Sequence, residues 1–280
     1  MGERTSIDEA TTVPVDCGPR SEVFMSSRSR LLACALGVIL TSLANAAAAE
    51  PRVVLIGVDG ATWNVIDPLV ASGDMPNLKA LMDRGVHAEM STVEPVNSPT
   101  VWTSIATGQP PDVTGIANFI VDERDLQVPR MFEWLTHQGL RVGLYQYLVT
   151  WPPRPLPGGF VIPGWLSGGP ETAPGSLAGS YRYDINGLRT PRGFSDVAFE
   201  ELAKKPAAFN ALVEQFDLDA AAVSFYAIDS LSHRFWANSF PETFDDEVVA
   251  GLDPEFAGTL QRAYKEFDKA IGEVIAALPD

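Results

Sequence analysis

Cysteine is nearly absent: the 280 residues hold two, Cys17 and Cys34, both within the first 49. A mature chain beginning near Glu50 would have no disulfide and no thiolate metal site. Any metal would be bound by carboxylate, imidazole or hydroxyl oxygen, the donors of hard or borderline divalent ions. Histidine is scarce too, with His87, His137 and His233 only. So few histidines, and no Gly-x-Ser-x-Gly elbow, make Ser-His-Asp hydrolysis a poor fit. Positive charge is short: 20 Lys and Arg stand against 36 Asp and Glu. The first 49 residues hold four basic and five acidic side chains, which leaves 16 against 31 in the remainder. That field disfavours nucleic acid and anionic membranes, and repels a phosphorylated substrate unless bound cations reverse its sign locally. No apolar run approaches the ~20 residues of a comfortable membrane span, and no internal repeat is visible.

What is present begins with the N-terminus. Arg28 and Arg30 precede the apolar run Leu31–Leu40, and Ala44-Asn45-Ala46 and Ala47-Ala48-Ala49 follow it. Basic n-region, short h-region and small-residue exit are the parts of a secretory signal peptide. Residues 1–49 therefore read as an N-terminal extension and signal. Residues 1–24 are long and polar for an n-region, which makes Met25 an alternative start. An uncleaved anchor is the competing reading. The expected location is secreted or periplasmic, with no stable membrane insertion after cleavage near Ala49. Residues 50–280, roughly 230, suffice for one domain with a sizeable core.

That part alternates apolar strands with amphipathic helices, the signature of an α/β domain. Strands are predicted at Val53–Val58, Val86–Ser91, Arg141–Tyr147 and Ala220–Ile228. Helices are predicted at Trp63–Ala71, Pro76–Arg84, Thr100–Ala106, Pro129–Gln138, Phe194–Phe216 (with a break at Pro206) and Glu255–Leu278. The Pro- and Gly-rich stretch Trp151–Arg192 reads as an irregular lid or rim. Strand–helix–strand order implies a mainly parallel sheet, in which ligands bind beyond the carboxyl ends of the strands. Asp59 and Asp229 both follow apolar runs and fall at that edge.

Asp59 is followed by Gly60, which lets the chain turn sharply; the same residue could equally cap a helix starting near Thr62. Ser98 precedes Pro99 at the start of a helix ending at Thr107-Gly108. It suits an N-cap, and it also suits a nucleophile, because a helix N-terminus offers N–H groups and positive potential to a phosphate. Metal binding would ease loss of the hydroxyl proton. Thr100 is the competing nucleophile. Asp229 and His233, four apart, can share a helical face and bind one ion. His87 and His137 read as structural.

With these residues in place, the chain resembles the type I phosphodiesterase/nucleotide pyrophosphatase branch of the alkaline phosphatase superfamily. The matching segments are Val53–Gly60, Met75-Pro76-Asn77-Leu78 with Gly85, Ser98–Gly108, Gly115-Ile116, Thr150-Trp151-Pro152-Pro153 and Asp229–Trp236, in family order. The resemblance implies a three-layer α/β/α sandwich and two divalent metal ions, usually zinc. It implies cleavage of a small phosphorylated substrate through a covalent phospho-enzyme. Carried over, Asp59 binds one metal together with the nucleophile Ser98, placed by counting back from Thr107-Gly108; Asp229 and His233 bind the other. The family's His-Gly-Ile reads Thr114-Gly115-Ile116 here. Val101 stands where nucleotide pyrophosphatases have a phosphate-assisting asparagine, so nucleotide specificity is not supported.

Relatives continue into a strand ending Ser-Asp-His-Gly and supply a later histidine. The expectation is therefore a domain over residues 50–280 that is incomplete at its C-terminus and carries only part of the site. The alternatives are an inactive fragment that binds a phospho-ligand or partner, and a phosphoryl transferase of the same superfamily. A sulfatase would need Cys/Ser-x-Pro-x-Arg, which Ser98-Pro99-Thr100 does not fit.

Overall fold

The computed structural model describes residues 53–180 and 190–278. The signal-peptide reading, with Met25, Cys17 and Cys34, lies outside the described residues, as do residues 181–189 of the expected rim. Among the described residues the sheet has four strands: β1 (Val53–Val58), β2 (Val142–Tyr147), β3 (Phe160–Pro163) and β4 (Ala220–Phe225). Their spatial order is β1-β4-β2-β3 and every pairing is parallel. Parallel sheets need helices on both faces, so their strands read as continuous apolar runs. Here β2, β3 and β4 are buried at every position.

The principal helices are α1 (Trp63–Ala71), α2 (Pro76–Arg84), α3 (Ser98–Thr107), the short α4 (Pro111–Thr114), α5 (Met131–His137), α6 (Pro191–Phe216), α7 (Ala227–Ser239), the short α8 (Asp246–Ala250) and α9 (Thr259–Ala276). One layer is built on α6 and α9: Phe209 meets Tyr145 edge-on, and Phe267 meets Phe225. The other is built on α3 and α5, whose Trp102 and Phe132 both pack on Tyr147. Tyr145 and Tyr147 are two apart and would share a face in a regular strand. Gln146, at φ 58°, introduces a bulge that sends the second ring to the opposite layer.

Two close approaches need glycine. A Cβ on Gly57 would lie 2.2 Å from the Trp102 ring, so β1 can meet α3 only without a side chain there. Gly60 adopts φ +70° where β1 turns against α7. The Met75-Pro76-Asn77-Leu78 segment finds its reason in α9. Asp268, buried, accepts from the Asn77 N–H (3.1 Å), the Asn77 amide (2.9 Å) and the Leu78 N–H (2.7 Å). Those bonds satisfy donors that a helix start leaves open.

Four expectations are corrected. Val86–Ser91 is no strand; it runs exposed, Val86 almost wholly, and pairs with no strand among the described residues. Helix α6 continues unbroken through Pro206. Strand β4 stops at Phe225 and α7 begins at Ala227, so Asp229 sits in a helix first turn rather than at a strand tip. The predicted helix from Glu255 divides into a short 3-10 turn, Pro254–Phe256, and α9, because Gly258 adopts φ +66° between them. Among the described residues no helix is long and apolar enough to cross a membrane.

Candidate active site

The carboxyl edge of the sheet collects the candidate residues. Asp59 continues β1: its N–H donates to the Phe225 carbonyl of β4 at 2.9 Å. Gly60 then brings the chain so near α7 that a Cβ on it would sit 2.7 Å from the Asp229 Cα. Asp229 occupies the first turn of α7, and His233 follows one turn later with its Nε2 3.5 Å from Asp229 Oδ1. The Asp229 side chain is about one-third exposed and that of His233 is 80 % exposed. The i, i+4 spacing of Asp229 and His233 thus puts both on one helical face.

Ser98 arrives from the other direction, at the first position of α3. The N-cap is Asn97, not Ser98: its Oδ1 accepts from the Thr100 N–H at 3.1 Å and from the Thr100 hydroxyl at 2.8 Å. This leaves the Ser98 hydroxyl to donate to Asp59 Oδ1 at 3.4 Å. Thr100 is fully buried beneath it. The four sequence candidates form one run of neighbours: Ser98 with Asp59, Asp59 beside Asp229, and Asp229 with His233. Among the described residues no three or more His, Cys, Asp and Glu side chains are gathered closely enough to hold a metal ion by themselves. Elsewhere, His87 lies near the Trp63 ring and His137 near the Trp134 ring.

The charges of this run are strained. Burial pushes the Asp59 carboxyl up to about 6, the Asp229 charge pushes in the same sense, and the Ser98 hydrogen bond and the Trp102 indole N–H, with the field of His233, pull it back. Asp229 is also raised by burial, against the pull of His233. Two partly desolvated carboxylates side by side disfavour their own ionised forms. A cation between them would reverse that. The donor set is two carboxylates, a hydroxyl and an imidazole, which suits a hard or borderline divalent ion.

Residues outside the predicted set shape the surroundings. Trp102, one helical turn after Ser98, covers Gly57, and its indole N–H favours the charged form of Asp59. The Tyr226 ring lies 6.1 Å from that of Trp102 and 6.5 Å from that of Trp165, and its hydroxyl donates to the Gln146 carbonyl. Serine-to-tryptophan spacing at i, i+4 was a readable signal; Tyr226, between two elements, offered none. A cavity of about 480 Å³ opens beyond Trp165, lined by Phe119, Ile120, Trp151, Leu166, Asp122 and Asp125 among others. None of Asp59, Ser98, Asp229 and His233 lines it; its link to α3 is Ala117, two residues before Phe119, whose carbonyl accepts from the Asn97 amide at 3.2 Å. Trp151 and residues 165–168 of the expected Trp151–Arg192 rim supply one wall of the cavity, but the stretch is not irregular throughout, because Phe160–Pro163 within it is the buried strand β3.

Solved structures of similar fold include phosphonoacetate hydrolase from Sinorhizobium meliloti 1021 in complex with phosphonoacetate. That match has 18 % identity and a TM-score of 0.55, covering 81 % of this chain and 54 % of that one. The same enzyme in complex with phosphonoformate matches with 18 % identity, a TM-score of 0.52 and the same coverage. At that identity the likeness shows the fold, and this chain spans about half the length of those structures. No curated protein sequence matches the chain. Residues 53–280 match the sequence model described as type I phosphodiesterase / nucleotide pyrophosphatase. The chain belongs to the type I phosphodiesterase/nucleotide pyrophosphatase family.

Proposed function

We propose that this chain carries the nucleophile-bearing part of a divalent-metal-dependent phosphoester hydrolase, with Ser98 as the attacking group. The observation that carries this reading is the Ser98 hydroxyl turned to Asp59 while Asn97 takes over the cap. Thr100 is the weaker candidate, because its hydroxyl is buried and held by Asn97.

Asp59 and Ser98 would hold one ion, and Asp229 with His233 the second; zinc is the ion to which the family resemblance points. Bound there, such ions would lower the pKa of a hydroxyl and offset charge on phosphoryl oxygens. The chain's own residues do the rest. Asp59 Oδ1 takes the Ser98 hydrogen bond, which turns an oxygen lone pair toward an incoming phosphorus. The positive end of α3 would face the phosphoryl oxygens of a phosphate held at Ser98. Ser98 Oγ then loses its proton to solvent and forms a bond to phosphorus as the phosphorus–ester oxygen bond breaks, the ester oxygen leaving with the electron pair and taking a proton from water. A second water later attacks phosphorus, breaks the Oγ–phosphorus bond and returns a proton to Ser98. The cavity beside Trp165 would receive the rest of a small phosphorylated substrate. Its aromatic walls and acidic rim favour an apolar or aromatic group over an anionic one.

Four donors for two ions fall below the usual three or four protein ligands each. That count favours, as a second reading, a chain that binds a phospho-ligand without turning it over. The test is zinc content together with hydrolysis of aryl phosphate mono- and diesters by the purified chain, Ser98→Ala and Thr100→Ala. Phosphonoacetate extends the panel. The expected result is loss of turnover in Ser98→Ala alone. Full activity in Ser98→Ala with loss in Thr100→Ala overturns the assignment. Ligand binding by a metal-loaded chain with no turnover selects the second reading. We also propose that residues 1–49 are an export signal for a secreted or periplasmic protein; N-terminal sequencing of exported material would start near Glu50.

A further inference from the structure

One residue, Tyr226, separates the end of β4 from α7, the helix that carries Asp229 and His233. The polar backbone of this turn is answered from α6. Glu201, fully buried, accepts from the Tyr226 N–H with both carboxylate oxygens at 3.1 Å, and the Ala227 N–H dipole also favours its charged form. Lys205, four residues along and equally buried, donates to the Ser224 carbonyl at 2.6 Å and pairs with Glu201. Its ammonium lies 5.2 Å from the centroids of both the Phe225 and Tyr226 rings. The pair therefore grips the carbonyl before the turn and the amide after it.

Burial of an ion pair is weak support for stability, because well-packed apolar residues of similar volume often serve as well or better. Here, however, the pair bonds to the backbone on both sides of one turn, the Ser224 carbonyl and the Tyr226 N–H, and Asp229 follows that turn by three residues. Asp229 in turn lies against Gly60, the neighbour of Asp59 in the chain. Small displacements of such supports change what a site can bind.

We infer that Glu201 and Lys205 form a positioning pair, which sets where Asp229 and His233 stand relative to Asp59 and thereby governs the affinity of the site for a divalent cation. The inference rests on the metal-binding reading above. The pair touches no ligand itself; it acts through the backbone of Ser224 and Tyr226.

Zinc titration of the full chain by calorimetry, at a temperature well below unfolding, tests it. The variants are Glu201→Gln, Lys205→Met and the apolar double variant Glu201→Leu with Lys205→Met, whose cooperative melting certifies folding. A core control on the same helix, Phe209→Leu, is destabilised without touching the turn. The expected result is a 10- to 100-fold loss of zinc affinity in folded variants of the pair. Amide exchange at Tyr226 and Ala227 should quicken in the same variants, and the control should keep the affinity of the unaltered chain. Unchanged affinity in folded pair variants overturns the inference, and so does an equal loss in Phe209→Leu, which would tie affinity to stability alone. Failure of the single and double variants to fold makes the pair a folding requirement and equally overturns it. Absence of zinc binding by the unaltered chain is a different failure: it removes the metal reading and this inference with it.

Discussion

Asp59→Asn keeps the shape of the side chain and removes its charge, and the consequence for stability depends on pH and on cation. Without a bound cation, the Asp59 carboxyl titrates near 6 in the folded chain against 3.8 for the ordinary group. The folded state therefore holds this proton more tightly than the unfolded one. Its contribution to stability is complete below about 3.8 and is lost as pH rises through about 6. The full loss is roughly 3 kcal/mol, at about 1.4 kcal/mol per tenfold change in proton affinity. The asparagine variant carries no such dependence. Urea denaturation in chelator, from pH 4 to pH 7.5, should show the variant gaining on the unaltered chain by about 2–3 kcal/mol across that range. Taking the difference between the two proteins cancels the many other carboxylates that titrate there. Zinc should then reverse the order. A ligand at about one hundred times its Kd stabilises by about 2.7 kcal/mol, close to the charge penalty, and the variant should forfeit most of that gain. A difference that stays flat from pH 4 to pH 7.5 would refute the burial-and-repulsion account of Asp59. An equal zinc response in both proteins would refute its role as a ligand.

Three more perturbations follow from particular contacts. Asp268→Ala removes three hydrogen bonds at the start of α2; the expected loss, about 2–4 kcal/mol, is measured by denaturant unfolding, and a loss under about 0.5 kcal/mol would contradict the clamp. Gly57→Ala drives a methyl to within 2.2 Å of the Trp102 ring. It should cost about 1–3 kcal/mol by overpacking, and it should lower zinc affinity as α3 and Ser98 move away from Asp59; denaturant unfolding followed by tryptophan emission reports the first and calorimetry the second. Trp165→Ala opens the wall of the cavity beside Tyr226; if turnover of aryl esters is found, KM should rise about tenfold with kcat within about twofold, and an unchanged KM would take the cavity out of substrate binding.

Three of the four strands were legible because a parallel sheet covered on both faces demands unbroken apolar runs, as at Val53–Val58 and Ala220–Phe225. The short β3, Phe160–Pro163, was hidden among the prolines and glycines of the stretch read as a rim. The approximate carboxyl ends of β1 and β4 were enough to place Asp59 and Asp229 at one edge. Of the two readings left open for Ser98, the cap fails for a local reason. Ser98 and Asn97 are both good N-caps, and only the fold shows that Asn97 takes the bond and Ser98 turns to Asp59. The strand expected at Val86–Ser91 had the apolar residues but no partner, and strand propensity measures packing against neighbours more than any backbone preference. Gln146 carried no mark of the bulge that splits Tyr145 from Tyr147, since a positive φ at a non-glycine residue is imposed by its surroundings.

Glu201 and Lys205 mark the deeper limit. A glutamate four residues before a lysine on a long helix is the commonest pattern of a solvated surface pair, and Glu200 with Lys204, one residue earlier, is that: both side chains are substantially exposed. Shifting the register by one residue turns the same motif through about 100° into the core. There it meets the turn between β4 and α7, whose Ser224 carbonyl and Tyr226 N–H it satisfies. What distinguishes the two pairs is not their chemistry but the position of the apolar residues around them, Ala198, Leu202 and Phe209, which place Glu201 and Lys205 on the buried side of α6. Helical phase was therefore available in the sequence. What was not available was the reason for charge on that side, because the backbone groups it satisfies belong to a turn about two dozen residues further along the chain.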